Sequence, residues 1–226
     1  MRQILACLLL ATLGRTASGG ACAVPEAVAV VLTPPNADLD DAGGVVVAIG
    51  PRKDAGDTKI EDLAKLAWHF QGDKPAVNVI GPGLAVVSAP HHGSTLEDAK
   101  GNAKLHVRWR HAKPKLEAPR VKSLVFHEEQ TPRGGSSSIT LALDAPPPPD
   151  AVAVMVFSVD NPLEKPQWSR ISDPKATTLA LDARGRCAWV IPGNAMPGNG
   201  AAVSLAWLDS SGRVSAMSKP VTITQK

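Results

Sequence analysis

The chain has 226 residues, of which 44% are hydrophobic, and a formal net charge of +3. Twenty prolines and nineteen glycines favour many turns and few long helices. Because the charge is nearly balanced and no basic stripe is interleaved with aromatic residues, a nucleic-acid partner is not expected. The length leaves room for one large or two small globular domains.

Residues 1–21 have the three parts of a secretory signal peptide. Arg2 supplies the positive charge, residues 4–14 form an apolar stretch too short to span a bilayer, and small residues follow at 17–21. No later segment reaches the roughly 18 apolar residues of a membrane span. The sequence therefore predicts an exported protein, periplasmic or extracellular, and the composition is typical of a bacterium.

Two cysteines follow the signal, Cys22 and Cys187. In an oxidising compartment such a pair permits one disulfide, which would close a long loop and stabilise the fold by about 5 kcal/mol. Two alternatives stay open. Both thiols are free, or Cys22 carries a lipid anchor, although residues 19–21 lack the large aliphatic residue typical of a bacterial lipoprotein signal.

The first predicted domain spans residues 24–114. Its apolar runs predict strands at 27–32, 45–49, 76–80, 84–88 and 104–110. Within the last run, three apolar residues alternate with basic ones, namely Leu105, Val107 and Trp109. The capping-box spacing and apolar period of 58–70 predict one short helix, the alternative being two strands around Lys65.

A charged, proline-bearing linker at 115–119 leads into the second predicted domain, 120–226. Its apolar and alternating runs predict seven strands, at 121–126, 139–143, 152–157, 178–181, 188–191, 203–207 and 221–224. The run 152–157 is entirely apolar, which is typical of a central strand covered on both faces. The predicted fold class is all-β, with two immunoglobulin-like β-sandwich domains in tandem and room for that helix in the first.

The second domain resembles the fibronectin type III family over residues 119–225. The resemblance is most specific in the final hairpin, where an alternating strand meets the turn 209–212, and 218–220 leads into the last strand. Two positions depart from the family: Val203 stands where a Tyr is usual, and Leu141 is nearest to its early Trp. The resemblance implies a binding or spacer module and gives no catalytic residues to carry over.

Three other features bear on possible chemistry. Adjacent imidazoles at His91 and His92 suit a metal, but consecutive strand residues point to opposite faces and no His-x-His precedes them, so a solvated loop is favoured. Trp168 falls in the predicted loop 160–174, where it could stack on a sugar ring or fold onto the sheet edge, the second being favoured. The acidic pair Asp40 and Asp41 is expected to be exposed to solvent.

These observations predict a non-catalytic binding or structural module of the bacterial cell envelope, with no cofactor and with an unknown envelope protein or a glycan as partner. One alternative is a periplasmic metal-binding protein or metallohydrolase using His91 and His92. Another is a carbohydrate-binding module that uses Trp168.

Overall fold

The computed structural model describes residues 26–52, 68–70, 76–88, 95–98, 104–110, 113–131, 134–162, 164–184, 194 and 196–226. Within these residues every regular element is a strand and no helix is present. The strands are β1 (Glu26–Val31), β2 (Asp38–Asp40), β3 (Val45–Arg52), β4 (Trp68–Phe70), β5 (Ala76–Gly81), β6 (Leu84–Ser88), β7 (Thr95–Asp98), β8 (Lys104–His106), β9 (Arg108–Arg110), β10 (Val121–Thr131), β11 (Gly134–Leu143), β12 (Ala151–Ser158), β13 (Gln167–Arg170), β14 (Thr178–Arg184), β15 (Ala202–Asp209) and β16 (Val221–Gln225).

The all-β fold class is confirmed, and twelve of these strands overlap runs that the sequence predicts. The predicted helix is wrong at its end, because Trp68–Phe70 is a strand paired with β7; the rest of that segment lies outside the described residues. The predicted loop 160–174 contains strand β13, which pairs with β12. The strand expected at 188–191 also lies outside the described residues.

Seven strands of the second part of the chain form one sheet. Its order is β13-β12-β15-β16-β10-β11-β14, and neighbours run antiparallel except β10 and β16. The edge strands β13 and β14 approach each other, so the sheet is nearly closed. The enclosed core contains Leu124, Leu141, Val154, Val156, Leu179, Val203, Leu205, Trp207 and Ile223, all buried.

Strand β12 is covered on both faces, as its apolar sequence predicts. Val154 and Val156 face the enclosed core, while Ala153 and Met155 face outward and are also buried. On the adjacent β15, Leu205 and Trp207 point inward and Ala206 and Leu208 point outward, which is the two-residue period of a strand. The sheet therefore presents an apolar outer face that something must cover.

The first part of the chain supplies that cover. It forms a four-stranded sheet of order β1-β3-β6-β5, a parallel pair β2-β9 and a three-stranded sheet β4-β7-β8. One face of β3 and β6 encloses a second core, with Leu39, Val45, Val47, Ala85, Val87, Leu105 and Val107 buried. The other face packs on β12 and β15. The first part thus contains three small sheets, and a tandem of two separate sandwiches with boundaries at 24–114 and 120–226 stays a prediction.

Candidate functional site

The contact between the two parts of the chain is the most elaborate polar and apolar arrangement among the described residues, and we call it the junction. Its apolar side is a continuous cluster in which Leu32, Val46 and Leu84 of the first part meet Met155 and Leu208 of the second. Four of these five side chains are fully buried. Removing such side chains from water stabilises the contact by about 1.5–3 kcal/mol each.

Backbone groups approach closely at the edge of this cluster. The Gly44 N–H donates to the Ser211 carbonyl at 2.9 Å, and the Thr33 hydroxyl donates to the Ser210 carbonyl at 2.8 Å. A Cβ at Gly43 would overlap Ser211, and a Cβ at Gly44 would overlap the Val87 carbonyl. These positions therefore need glycine because two backbones share the space that a side chain would fill.

The Arg213 guanidinium is the centre of the polar side. Its Nε donates to Asp209 Oδ2 at 2.9 Å, and its Nη1 donates to Asp40 Oδ2 and to the Lys113 carbonyl, both at 2.6 Å. Its Nη2 donates to the Pro114 carbonyl at 3.1 Å. The side chain is 17% exposed. A planar guanidinium can satisfy four acceptors in fixed directions, which an ammonium cannot do.

The Lys113 ammonium forms a second centre beside it. Its Nζ donates to the Asp38 carbonyl at 2.7 Å and to Ser210 Oγ at 3.0 Å, and it lies 2.6 Å from Asp150 Oδ2. The Ser210 hydroxyl in turn donates to Asp150 Oδ1. Three carboxylates and two cations thus meet here, and each cation is already bonded within the protein. This network of ion pairs and hydrogen bonds holds together segments that are far apart in sequence.

Asp40 joins the two centres. Its carboxylate accepts hydrogen bonds from the backbone N–H of Ala42 at 3.0 Å and of Lys113 at 3.1 Å, besides the bond from Arg213. The two backbone bonds lower the pKa of this carboxyl below its ordinary value of 3.8, and the charges of Arg213 and Lys113 lower it further, while burial acts in the opposite direction. The expectation that Asp40 is exposed is wrong, since only 8% of it is accessible.

Trp168 lies on β13 and not in a loop, and it belongs to the junction. It is 6% exposed, its indole Nε1–H donates to the Pro82 carbonyl at 2.7 Å, and its backbone exchanges two hydrogen bonds with the Asn194 side chain. The ring is therefore buried at the edge of the sheet, against residues of the first part of the chain. The carbohydrate hypothesis consequently has no exposed residue here to support it.

The other residues singled out from the sequence cannot be placed. Cys22, Cys187, His91 and His92 lie outside the described residues, so the disulfide, the lipid anchor and the metal hypothesis stay predictions. Among the residues that the structure does describe, no three of His, Cys, Asp and Glu are grouped closely enough to hold a metal ion. The described part of the chain also contains no helix long and apolar enough to cross a bilayer.

Sequence reasoning did not find the central residues of the junction. Asp209, Ser210 and Ser211 read as a polar turn, yet they are 2%, 1% and 0% exposed. The only signals in the sequence are weak: a polar turn that ends in glycine, and the adjacent glycines Gly43 and Gly44, which are typical of a turn. Nothing in either segment indicates that the two turns meet.

Comparison with protein-family models, with curated proteins and with solved structures finds no match to this chain.

Proposed function

We propose that this protein is a non-catalytic binding or structural module of the bacterial cell envelope, built from two β-rich parts that are fixed to each other, the second an immunoglobulin-like β-sandwich. The proposal includes export through the signal at residues 1–21. Its partner is an envelope protein or a glycan. The tandem arrangement of two immunoglobulin-like domains, and the likeness of the second to fibronectin type III, belong to this proposal.

The strand order supports the immunoglobulin-like assignment. Taking β10 to β16 as strands A, B, C, C′, E, F and G, the sheet order becomes C′-C-F-G-A-B-E. This order is consistent with an immunoglobulin-like arrangement, in which one sheet contains A, B and E and the other C, F and G, and it supports the proposal. The parallel pair β10 and β16 joins the two halves into one nearly closed sheet. A fold does not determine function by itself. The strand order therefore supports a class of module but does not identify its ligand.

The observation that carries the proposal is the junction. Arg213 holds Asp40 and the carbonyls of Lys113 and Pro114, just before the predicted linker, so the segment entering the second part is fixed. An apolar cluster seals the same contact. Buried charges and close backbone contacts fix the two β-rich parts relative to each other. A protein held in this way presents its surfaces at a constant angle, which suits a structural or binding module.

Complementation in the source bacterium tests this proposal against the metallohydrolase alternative. A gene-deletion strain is scored for sensitivity to detergent and osmotic stress, then given the parent gene or the His91→Ala, His92→Ala double variant. We expect the double variant to restore the parent phenotype at equal protein level, and mature protein in the envelope to begin between residues 20 and 23. Loss of complementation by the double variant, or an intact Met1, would overturn the proposal.

A further inference from the structure

Asn199 is the only one of the six asparagines in the chain that is followed by glycine. An asparagine side chain can react with the backbone nitrogen of the next residue. The nitrogen attacks the side-chain carbonyl carbon, ammonia leaves, and a five-membered ring forms that water then opens to aspartate or isoaspartate. A Cβ on the following residue hinders this close approach, and glycine has none. The sequence therefore directs the reaction to Asn199.

The structure places this pair in an exposed turn. Gly198, Asn199 and Gly200 are all exposed, and the Ala201 N–H donates to the Gly198 carbonyl at 3.3 Å. Gly200 has φ of 84°, the conformation of the third residue of a type II turn, which requires glycine or asparagine. Water, the second reactant, can reach the amide. The turn also keeps the reactive pair in place, because a side chain that would hinder the reaction at Gly200 would strain the backbone.

A hydrogen bond holds the attacking nitrogen. The Gly200 N–H donates to the Ile223 carbonyl at 2.8 Å, and the Ile223 N–H donates to the Ala201 carbonyl at 2.9 Å. These two bonds continue the β15–β16 ladder beyond the pair Ala202↔Thr222. Ile223 itself is 1% exposed and belongs to the enclosed core. Because the Gly200 nitrogen must lose its proton to attack, its bond to Ile223 has to open first.

The amide group of Asn199 is held more weakly. Its Nδ2 donates to Gln225 Oε1 at 3.2 Å, and this bond joins two exposed side chains. The Asn194 amide, by contrast, exchanges two hydrogen bonds with the Trp168 backbone, at 2.8 and 2.9 Å. Asn194 is followed by alanine in the sequence. It is therefore an internal reference for an amide that is protected by both its bonds and its neighbour.

We propose that Asn199 is a site of spontaneous deamidation, and that opening of β16 at Ile223 controls the rate. The net reaction takes up one water and releases one ammonia. The isoaspartate product adds a methylene group to the main chain of the turn, so the two bonds that join Gly200 and Ala201 to Ile223 cannot both keep their geometry. The modification consequently loosens the end of β16. It goes beyond the proposed envelope function and does not depend on it.

Incubation of the full-length protein at mildly alkaline pH, followed by peptide mapping with mass spectrometry, tests the site. We expect aspartate and isoaspartate to accumulate at Asn199 while Asn194 stays unmodified in the folded protein. In urea above the unfolding midpoint the rate at Asn199 should rise at least about tenfold, which corresponds to a free energy of opening of at least about 1.4 kcal/mol in the folded protein. Equal rates at Asn199 in the folded and unfolded protein, or no product there in either, would overturn the proposal.

Two variants separate the added charge from the added methylene. Asn199→Ser has no reactive amide and should show no modification at this position. Asn199→Asp has the charge without the methylene and should unfold at the same urea midpoint as fresh parent protein. The aged fraction that contains isoaspartate, separated by ion exchange, should unfold at lower urea and exchange its Val221–Gln225 amides faster. Identical midpoints and exchange for the aged fraction and Asn199→Asp would contradict the coupling between this turn and β16.

Discussion

Arg213 Nη1 donates to Asp40 Oδ2 across 2.6 Å, joining two residues that are 173 positions apart in the chain. The two side chains are 17% and 11% exposed, so the pair is largely shielded from water. Both partners also bond the backbone of Lys113, since Arg213 donates to its carbonyl and Asp40 accepts from its N–H. This contact makes the entry to the second part a fixed joint.

Arg213→Ala should lower the free energy of unfolding by about 3–5 kcal/mol, because it leaves the carboxylates of Asp40 and Asp209 buried without their cation. Arg120→Ala is the matched control: it removes an arginine that is 73% exposed, and should change stability by no more than about 0.5 kcal/mol. Urea unfolding followed by circular dichroism measures both. Equal midpoints for the two variants would show that the buried pair contributes nothing.

Four glycine-to-alanine variants separate steric contact from backbone strain. Gly44→Ala should destabilise by about 1–3 kcal/mol, because its Cβ would overlap the Val87 carbonyl. Gly200→Ala adds no contact but has φ of 84°, so it should cost about 1–2 kcal/mol. Gly212→Ala combines φ of 79° with overlap on Val86 and should cost more than either.

Gly198→Ala is the control for this series, since a Cβ there has no atom within 4 Å and φ lies outside the left-handed region. It should leave the melting temperature within a degree or two of the parent value, or slightly raise it by restricting the unfolded chain. A rank order of melting temperatures other than Gly198 above Gly200 above Gly212 would contradict the geometry described for these turns.

Most strands can be predicted from the sequence, but the junction between the two parts of the chain cannot. The runs at β3, β6, β12 and β15 are rich in β-branched and apolar residues, whose period and composition predict strands without any tertiary information. Short strands such as β2 and β13 are three and four residues long. They form because a neighbouring strand offers hydrogen-bonding partners, and that information is not local.

The junction could not be predicted for the same reason. Asp40 and Arg213 are charged residues of types that usually lie on the surface, and the predicted turn 209–212 ends just before Arg213. Their burial arises only when the outer face of β12 and β15 meets the sheet of β3 and β6. The sequence shows that strand β12 is apolar on both faces. It does not show which surface covers the outer face, where Met155 lies.

The pH dependence of stability should reveal the contribution of the Asp40 carboxylate to the free energy of unfolding. Its pKa in the folded protein lies below the ordinary value of 3.8, so its contribution is complete above that pH and disappears as pH falls through the folded pKa. The difference in urea midpoint between the parent and Asp40→Asn should therefore be constant from neutral pH down to about 5 and shrink below pH 3.8. A difference that grows on acidification would contradict the assigned bonds.

Trp168→Phe should lower stability by about 1–3 kcal/mol, because it keeps an aromatic ring in the junction but leaves the Pro82 carbonyl without its donor. Trp168→Ala should lower it by a further amount typical of a large cavity, to about 3–5 kcal/mol in total. Thermal unfolding measures both. If Trp168→Ala were as stable as the parent, the indole would have to be outside the junction and the carbohydrate hypothesis would regain its residue.

Native-state amide hydrogen exchange of the full chain in increasing urea determines whether the junction unites the two parts of the chain. Peptides covering Val45–Arg52 and Leu84–Ser88 report on the first part, and those covering Ala151–Ser158 and Ala202–Asp209 on the second. We predict that both sets reach the same free energy of opening and that Arg213→Ala lowers both together. Opening of the first set at a markedly lower free energy, with the second unchanged by Arg213→Ala, would contradict the claim and show two independent domains joined by a flexible linker.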